Sequence, residues 1–123
     1  MKYKTIKREL IPIYDNAKSF YNKAFINVKY DSKSYIDISY ELISYNTKIC
    51  IIKDNKIIFY KKNINSKLKD NQKVYSYTTL RHIKEFIKKF SYILELNYKD
   101  IINKENITKN DIVKLINAEC QKV

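Results

Sequence analysis

Tyr35-Ile36-Asp37-Ile38-Ser39-Tyr40-Glu41-Leu42 alternates apolar and polar side chains without a break. That period of two is the signature of a strand with one buried face, and it predicts a strand over 35–42. Two further runs follow closely. Thr47–Lys53 carries Ile49-Cys50-Ile51-Ile52, and Lys56–Lys61 carries Ile57-Ile58-Phe59-Tyr60, with Asp54-Asn55 between them. Two residues of this kind suit a type I′ hairpin turn. The continuous apolar runs predict strands covered on both faces, or on one face plus a helix. Upstream, Phe25–Tyr30 is expected to pair with 35–42 across Asp31-Ser32-Lys33-Ser34. The sum is an α+β fold, an antiparallel meander of four or more strands packed on one long amphipathic helix.

The helix is read from Leu80, Ile83, Ile87, Phe90 and Leu94, which recur at three and four residues and form one apolar stripe. Its predicted span is 78–96. A short strand over Val74–Tyr77 is expected to lead into it, and Ser76, Thr78 or Thr79 can cap its start. Arg81, Lys84 and Lys88 fall on the opposite face, where Glu85 and Lys89 have the spacing of an i,i+4 pair. The tail, 97–123, reads as two shorter helices, Tyr98–Lys104 and Thr108–Ala118. Its apolar spacing resembles a helix-turn-helix, but bulky Ile102 stands where that motif takes a small residue. A plain helical hairpin packed on the sheet is the preferred reading.

The chain has 123 residues, which suits a single domain spanning 1–123. Residues 1–77 are expected to be mainly sheet, with a basic loop at 61–73. There is no glycine, so turns needing positive φ must use another residue. The thirteen asparagines are the natural substitutes, notably Asn22, Asn55, Asn63, Asn71 and Asn106. No apolar run approaches the ~20 residues of a membrane helix, and no secretory leader is visible. A cytoplasmic site is the expectation. Two cysteines, Cys50 and Cys120, and one histidine cannot build a four-ligand zinc site without carboxylates. No cofactor is expected.

The formal net charge is +12, with only two arginines. Abundant Lys, Ile, Asn and Tyr are what an AT-rich genome produces, so the total overstates the case for a polyanion partner. The distribution of charge says more. Residues 53–89 hold eleven Lys or Arg against three acids, net +8, while 31–52 are net −1 and 90–123 are balanced. Codon bias acts evenly along a chain, whereas this pattern is uneven. Lys61, Lys62, Lys67, Lys69 and Lys73 on the loop, with Arg81, Lys84 and Lys88 on the helix, are therefore the candidate phosphate contacts. Tyr60, Tyr75 and Tyr77 flank them as possible stacking partners for bases. His82 has no Asp, Glu, Ser or Cys cluster beside it in sequence. With no phosphate loop or nucleophile motif either, no enzymatic activity is expected.

Three stretches, Tyr14–Ala24, Ser44–Ile49 and Tyr75–Ile87 with its Thr78-Thr79-Leu80-Arg81-His82-Ile83-Lys84-Glu85-Phe86 run, resemble a family of small uncharacterised domains. These occur in bacteriophages and other mobile elements, and the resemblance covers roughly residues 12–90. The family commonly has Gly where Asn22 stands, which fits a positive-φ position. The resemblance implies a setting and no mechanism. From the charge map comes the leading expectation, a non-catalytic nucleic-acid-binding accessory protein. The alternative is an anti-CRISPR-like protein that occludes a host defence complex. The partner is then nucleic acid or a host nucleoprotein complex.

Overall fold

The computed structural model describes residues 2–60, 75–93 and 108. Five strands form one antiparallel sheet in the order of the chain: β1 (Tyr3–Glu9), β2 (Ala24–Asp31), β3 (Asp37–Ser44), β4 (Thr47–Lys53) and β5 (Lys56–Phe59). One helix, α1 (Tyr77–Lys89), packs on the sheet over β3. The α+β meander expected from the alternation is the observed architecture.

The register explains which half of each strand is apolar. Ile26 pairs with Leu42, Leu42 with Cys50, and Cys50 with Phe59, so all four lie on one face. Ile52 and Ile57 extend that layer, and every one of these six side chains is buried. A register shift falls where Leu42 pairs with Cys50 but Ile43 pairs with Lys48. Ile49 is the extra residue, and the bulge lets Ile49 and Cys50 both be buried although they are adjacent. Leu80, Ile83, Phe86, Ile87 and Phe90 close the layer from the helix side. Tyr40 stacks on Phe90 with centroids 4.3 Å apart. Phe86 is fully buried, so its truncation to Ala would cost roughly 3–5 kcal/mol.

Glycine-free turns are made as expected, with one recurring device. Tyr21-Asn22, Tyr45-Asn46 and Asp54-Asn55 each place two successive residues at positive φ, between 50° and 65°. Two adjacent left-handed residues are the type I′ geometry that matches strand twist, and Asn tolerates the second position best. The β2–β3 connection instead puts Tyr35 at φ 59°, so β3 begins at Asp37 and not at Tyr35. Asp31 organises this loop by accepting the backbone N–H of Lys33 at 2.8 Å.

Three features of the structure go beyond or against the sequence reading. First, β1 has no amphipathic alternation and is exposed along nearly its whole length, so periodicity could not reveal it. Second, no strand occupies Tyr75–Tyr77. Ser76 caps α1, accepting the Thr79 N–H at 3.2 Å, and Tyr77 is already helical. Third, α1 has 13 residues and stops at Phe90, whose backbone leaves the helical region at φ −107°, ψ 15°. Residues 61–74, and the rest of the predicted helix and tail from 94 on, apart from 108, lie outside the described residues.

Candidate binding cleft

Between β1 and β2 the chain makes a long excursion, 10–23, across the first turns of α1. Its ends are fixed by Leu10, which is fully buried and donates its N–H to the carbonyl of Ala24 at 3.0 Å. Its middle is fixed by Glu85. Three successive backbone N–H groups converge on that carboxylate: Ile13 donates to Oε2 at 3.0 Å, Tyr14 to Oε1 at 3.0 Å, and Asp15 to Oε1 at 2.9 Å. Glu85 is 1% exposed. A carboxylate buried to this degree requires such donors, and here the loop backbone supplies them. The i,i+4 pairing of Glu85 with Lys89 on a solvent face is thus corrected. The local spacing rule cannot see a backbone partner 70 residues away.

Asp15 continues the arrangement. The Arg81 guanidinium grips its carboxylate with two groups, Nε at 2.9 Å and a terminal nitrogen on Oδ1. Asp15 Oδ1 also accepts the Ala17 N–H at 2.9 Å. Arg81 holds the Asp15 carboxyl down at about 2. The guanidinium in turn is pushed up by that same hydrogen bond.

Next to Arg81 on the helix, His82 is fully buried, with Nδ1 2.8 Å from Ser44 Oγ. Ser44 Oγ lies 3.1 Å from Thr79 Oγ1, to which Ser76 Oγ donates at 3.1 Å. The imidazole packs edge-on against Phe20 with centroids 4.5 Å apart, and its Nε2 has no hydrogen-bond partner among the described residues. Burial and the neighbouring Arg81 charge push its pKa down to about 4. Ser44 and His82 have the identities of a nucleophile and its base, yet both are sealed beneath the loop. Their chemistry is that of a clasp between sheet and helix.

Loop and helix together bound an open cleft of about 450 Å³. Its walls carry Tyr14 and Tyr77, 56% and 66% exposed, with Asn16, Lys84 and Lys88. Lys84 and Lys88 are one helical turn apart on the same side. Both carboxylates at the base are already engaged, Asp15 by Arg81 and Glu85 by backbone N–H groups. The two lysines carry no ion pair among the described residues.

Of the residues expected to contact phosphate, Arg81, Lys84 and Lys88 meet at this cleft. Lys61, Lys62, Lys67, Lys69 and Lys73 lie outside the described residues. Arg81 is committed to Asp15. Of the three expected aromatics, only Tyr77 faces solvent. Tyr75 is half-buried beside Phe59, and Tyr60, also half-buried, donates its hydroxyl to Glu41. Tyr14 and Asn16 escaped sequence reading because only the folded loop carries them to the helix. Among the described residues no three His, Cys, Asp or Glu side chains group to hold a metal, and no helix is long and apolar enough to span a membrane.

A family model described as a family of unknown function, DUF8033, matches residues 8–109. The chain belongs to that family. The DUF8033 match takes in every residue of the clasp: Asp15, Ser44, Thr79, Arg81, His82 and Glu85. Comparison with curated proteins and with solved structures yields no match. DUF8033 membership therefore brings no activity with it, and the functional reading rests on the cleft.

Proposed function

We propose that this DUF8033 protein is a non-catalytic nucleic-acid-binding accessory protein of a phage or mobile element, acting in the bacterial cytoplasm. The observation that carries the reading is the cleft wall on which Lys84 and Lys88, without an ion pair among the described residues, stand beside two exposed phenol rings, Tyr14 and Tyr77. Ammonium groups neutralise phosphate while aromatic faces accept unstacked bases, the combination that suits single strands. The lysines of 61–73 belong to the same excess of eight charges and add phosphate contacts in this reading. Arg81 has a different role here from that of a phosphate fork: it sets the loop through Asp15, and so sets the cleft.

The test is fluorescence anisotropy with labelled single- and double-stranded DNA and RNA, titrated over salt. Lys84→Glu with Lys88→Glu should weaken binding and lower the salt slope by about 2, one per lost phosphate contact, with the melting temperature kept. Unchanged affinity in a folded double variant would remove the cleft from the interface.

A second reading is favoured by the exposed tyrosines Tyr21, Tyr35 and Tyr92, each at least 75% accessible. Tyrosine is enriched at protein interfaces, and these suit an inhibitor that covers a host defence complex. That reading expects weak binding to free nucleic acid and a stable complex with a host nucleoprotein in pull-down.

A further inference from the structure

Among the described residues β1 is an outer strand of the sheet, with a defined hydrogen-bonding pattern. Leu10 N–H bonds Ala24 carbonyl, and Lys2 carbonyl accepts Ser32 N–H, each at 3.0 Å. In an antiparallel ladder bonded pairs alternate, so Lys4, Ile6 and Arg8 turn their backbone groups inward to β2. Thr5, Lys7 and Glu9 consequently turn theirs outward, away from the sheet. The strand's side chains are exposed along this edge. Beside it, on the helix side of the sheet, lies a trough of about 270 Å³ lined by Ile6, Arg8, Val28, Tyr30, Tyr35 and Asp37. Asp37 accepts the Tyr40 hydroxyl at 2.7 Å, and Arg8 is the cation of the trough.

From this edge and trough we propose that β1 is a docking edge for an extended acidic segment of a partner protein, which adds as a sixth strand. Backbone groups of Thr5, Lys7 and Glu9 supply the ladder, and alternate side chains of the incoming strand enter the trough over Ile6 and Val28. Charge decides the occupant. Residues 2–9 hold Lys2, Lys4, Lys7 and Arg8 against Glu9 alone. None of the cations in β1 has an ion pair among the described residues, and Lys7 lies 4.4 Å over the Phe25 ring. An acidic strand meets those cations, whereas a second copy of β1 would set like charges opposite one another. The edge shares no residue with the cleft beside α1.

The probe is a labelled peptide of about eight residues alternating Glu with Val, compared with its Lys-for-Glu counterpart. The acidic peptide should bind and slow amide exchange at Thr5, Lys7 and Glu9, with the inward amides of Lys4 and Ile6 unchanged. Thr5→Pro removes one outward donor without altering charge and should weaken binding about fivefold to tenfold. Lys4→Glu with Lys7→Glu, which leaves the backbone intact, should exchange the preference to the Lys peptide. Equal binding of both peptides, or no binding of either, overturns the proposal. So does protection elsewhere in the chain, or a dimer in sedimentation that Thr5→Pro dissolves.

Discussion

His82 on α1 and Ser44 at the end of β3 share a buried hydrogen bond of 2.8 Å that joins helix to sheet. Ser76 donates to Thr79, and Ser44 is bonded both to Thr79 and to the ring nitrogen Nδ1, so the imidazole is tied into a line of hydroxyls. The folded pKa of about 4 lies below the ordinary 6.5, so the fold favours the uncharged form. That contribution is complete above pH 6.5 and is lost as pH falls toward 4, on the order of 3 kcal/mol. Asp15 opposes the shift weakly and Arg81 reinforces it. Urea midpoints between pH 7 and pH 4 should fall steeply for the wild type and less steeply for His82→Gln. Parallel profiles would show that His82 is not the titrating group.

Arg81 and Asp15 are predicted to be coupled in stability. A double-mutant cycle with Arg81→Ala and Asp15→Ala should give about 1–2 kcal/mol, since the pair is partly solvated. Asp15 titrates in the folded state at about 2 and ordinarily at 3.8. Its share of stability is therefore present above pH 3.8 and disappears as pH falls toward 2. Arg81→Lys should retain less than half of the coupling, because an ammonium cannot form the two-pronged grip. Full retention by lysine would mean simple charge attraction holds the loop.

Glu85→Ala removes the acceptor for three backbone donors at once. A loss of about 2–4 kcal/mol is expected, with amide exchange at Ile13, Tyr14 and Asp15 accelerated well beyond the rest of the sheet. Added formate should slow that exchange again by occupying the vacated nest. A folded variant with unaltered exchange at those three amides would contradict the assignment of Glu85 as the loop's anchor.

Much of the fold was legible because β2 to β5 and α1 bury one face each, and burial leaves a period. The runs Phe25–Tyr30 and Thr47–Lys53 fall within β2 and β4, although Thr47–Lys53 shows as a continuous apolar run without a period and the Asp54-Asn55 turn shows by residue type. β1 left no such trace, since its side chains are exposed and Ile6 and Arg8 line an open trough and not the core. Ser76 was read as one of three possible caps, and its hydroxyl settled where the helix begins in place of a strand. The site was harder. Lys84 and Lys88 were visible as a charged helix face, but Glu85 and His82 acquire their roles from the 10–23 excursion and from β3. Their partners lie 38 to 72 residues away in sequence. Spacing rules reach only four residues, so a buried carboxylate and a surface one look alike.

The turns supply a prediction of opposite sign. Tyr21 sits at φ 52° with its ring 75% exposed, so it carries left-handed strain without compensating burial. Tyr21→Gly should raise stability by about 0.5–1 kcal/mol, partly offset by the greater freedom of glycine in the unfolded chain. Asn46→Ala, at φ 64°, should lower stability by about 1 kcal/mol, whereas Asn46→Gly should be near neutral. Chemical denaturation with matched m-values checks all three. A Tyr21→Gly protein less stable than the wild type would reveal packing by the Tyr21 ring that its exposure does not show.

Cys50 lies on β4 between Leu42 and Phe59, with no accessible surface, and burial raises the pKa of its thiol. In a Cys120→Ser protein it would be the sole sulfhydryl, and no reagent can reach it while β3, β4 and β5 stay zipped beneath α1. The rate at which a thiol reagent modifies it in native buffer then clocks the parting of the central strands. The protein carries its own stopwatch for sheet opening, readable without an added label and sensitive to whatever docks on its surface.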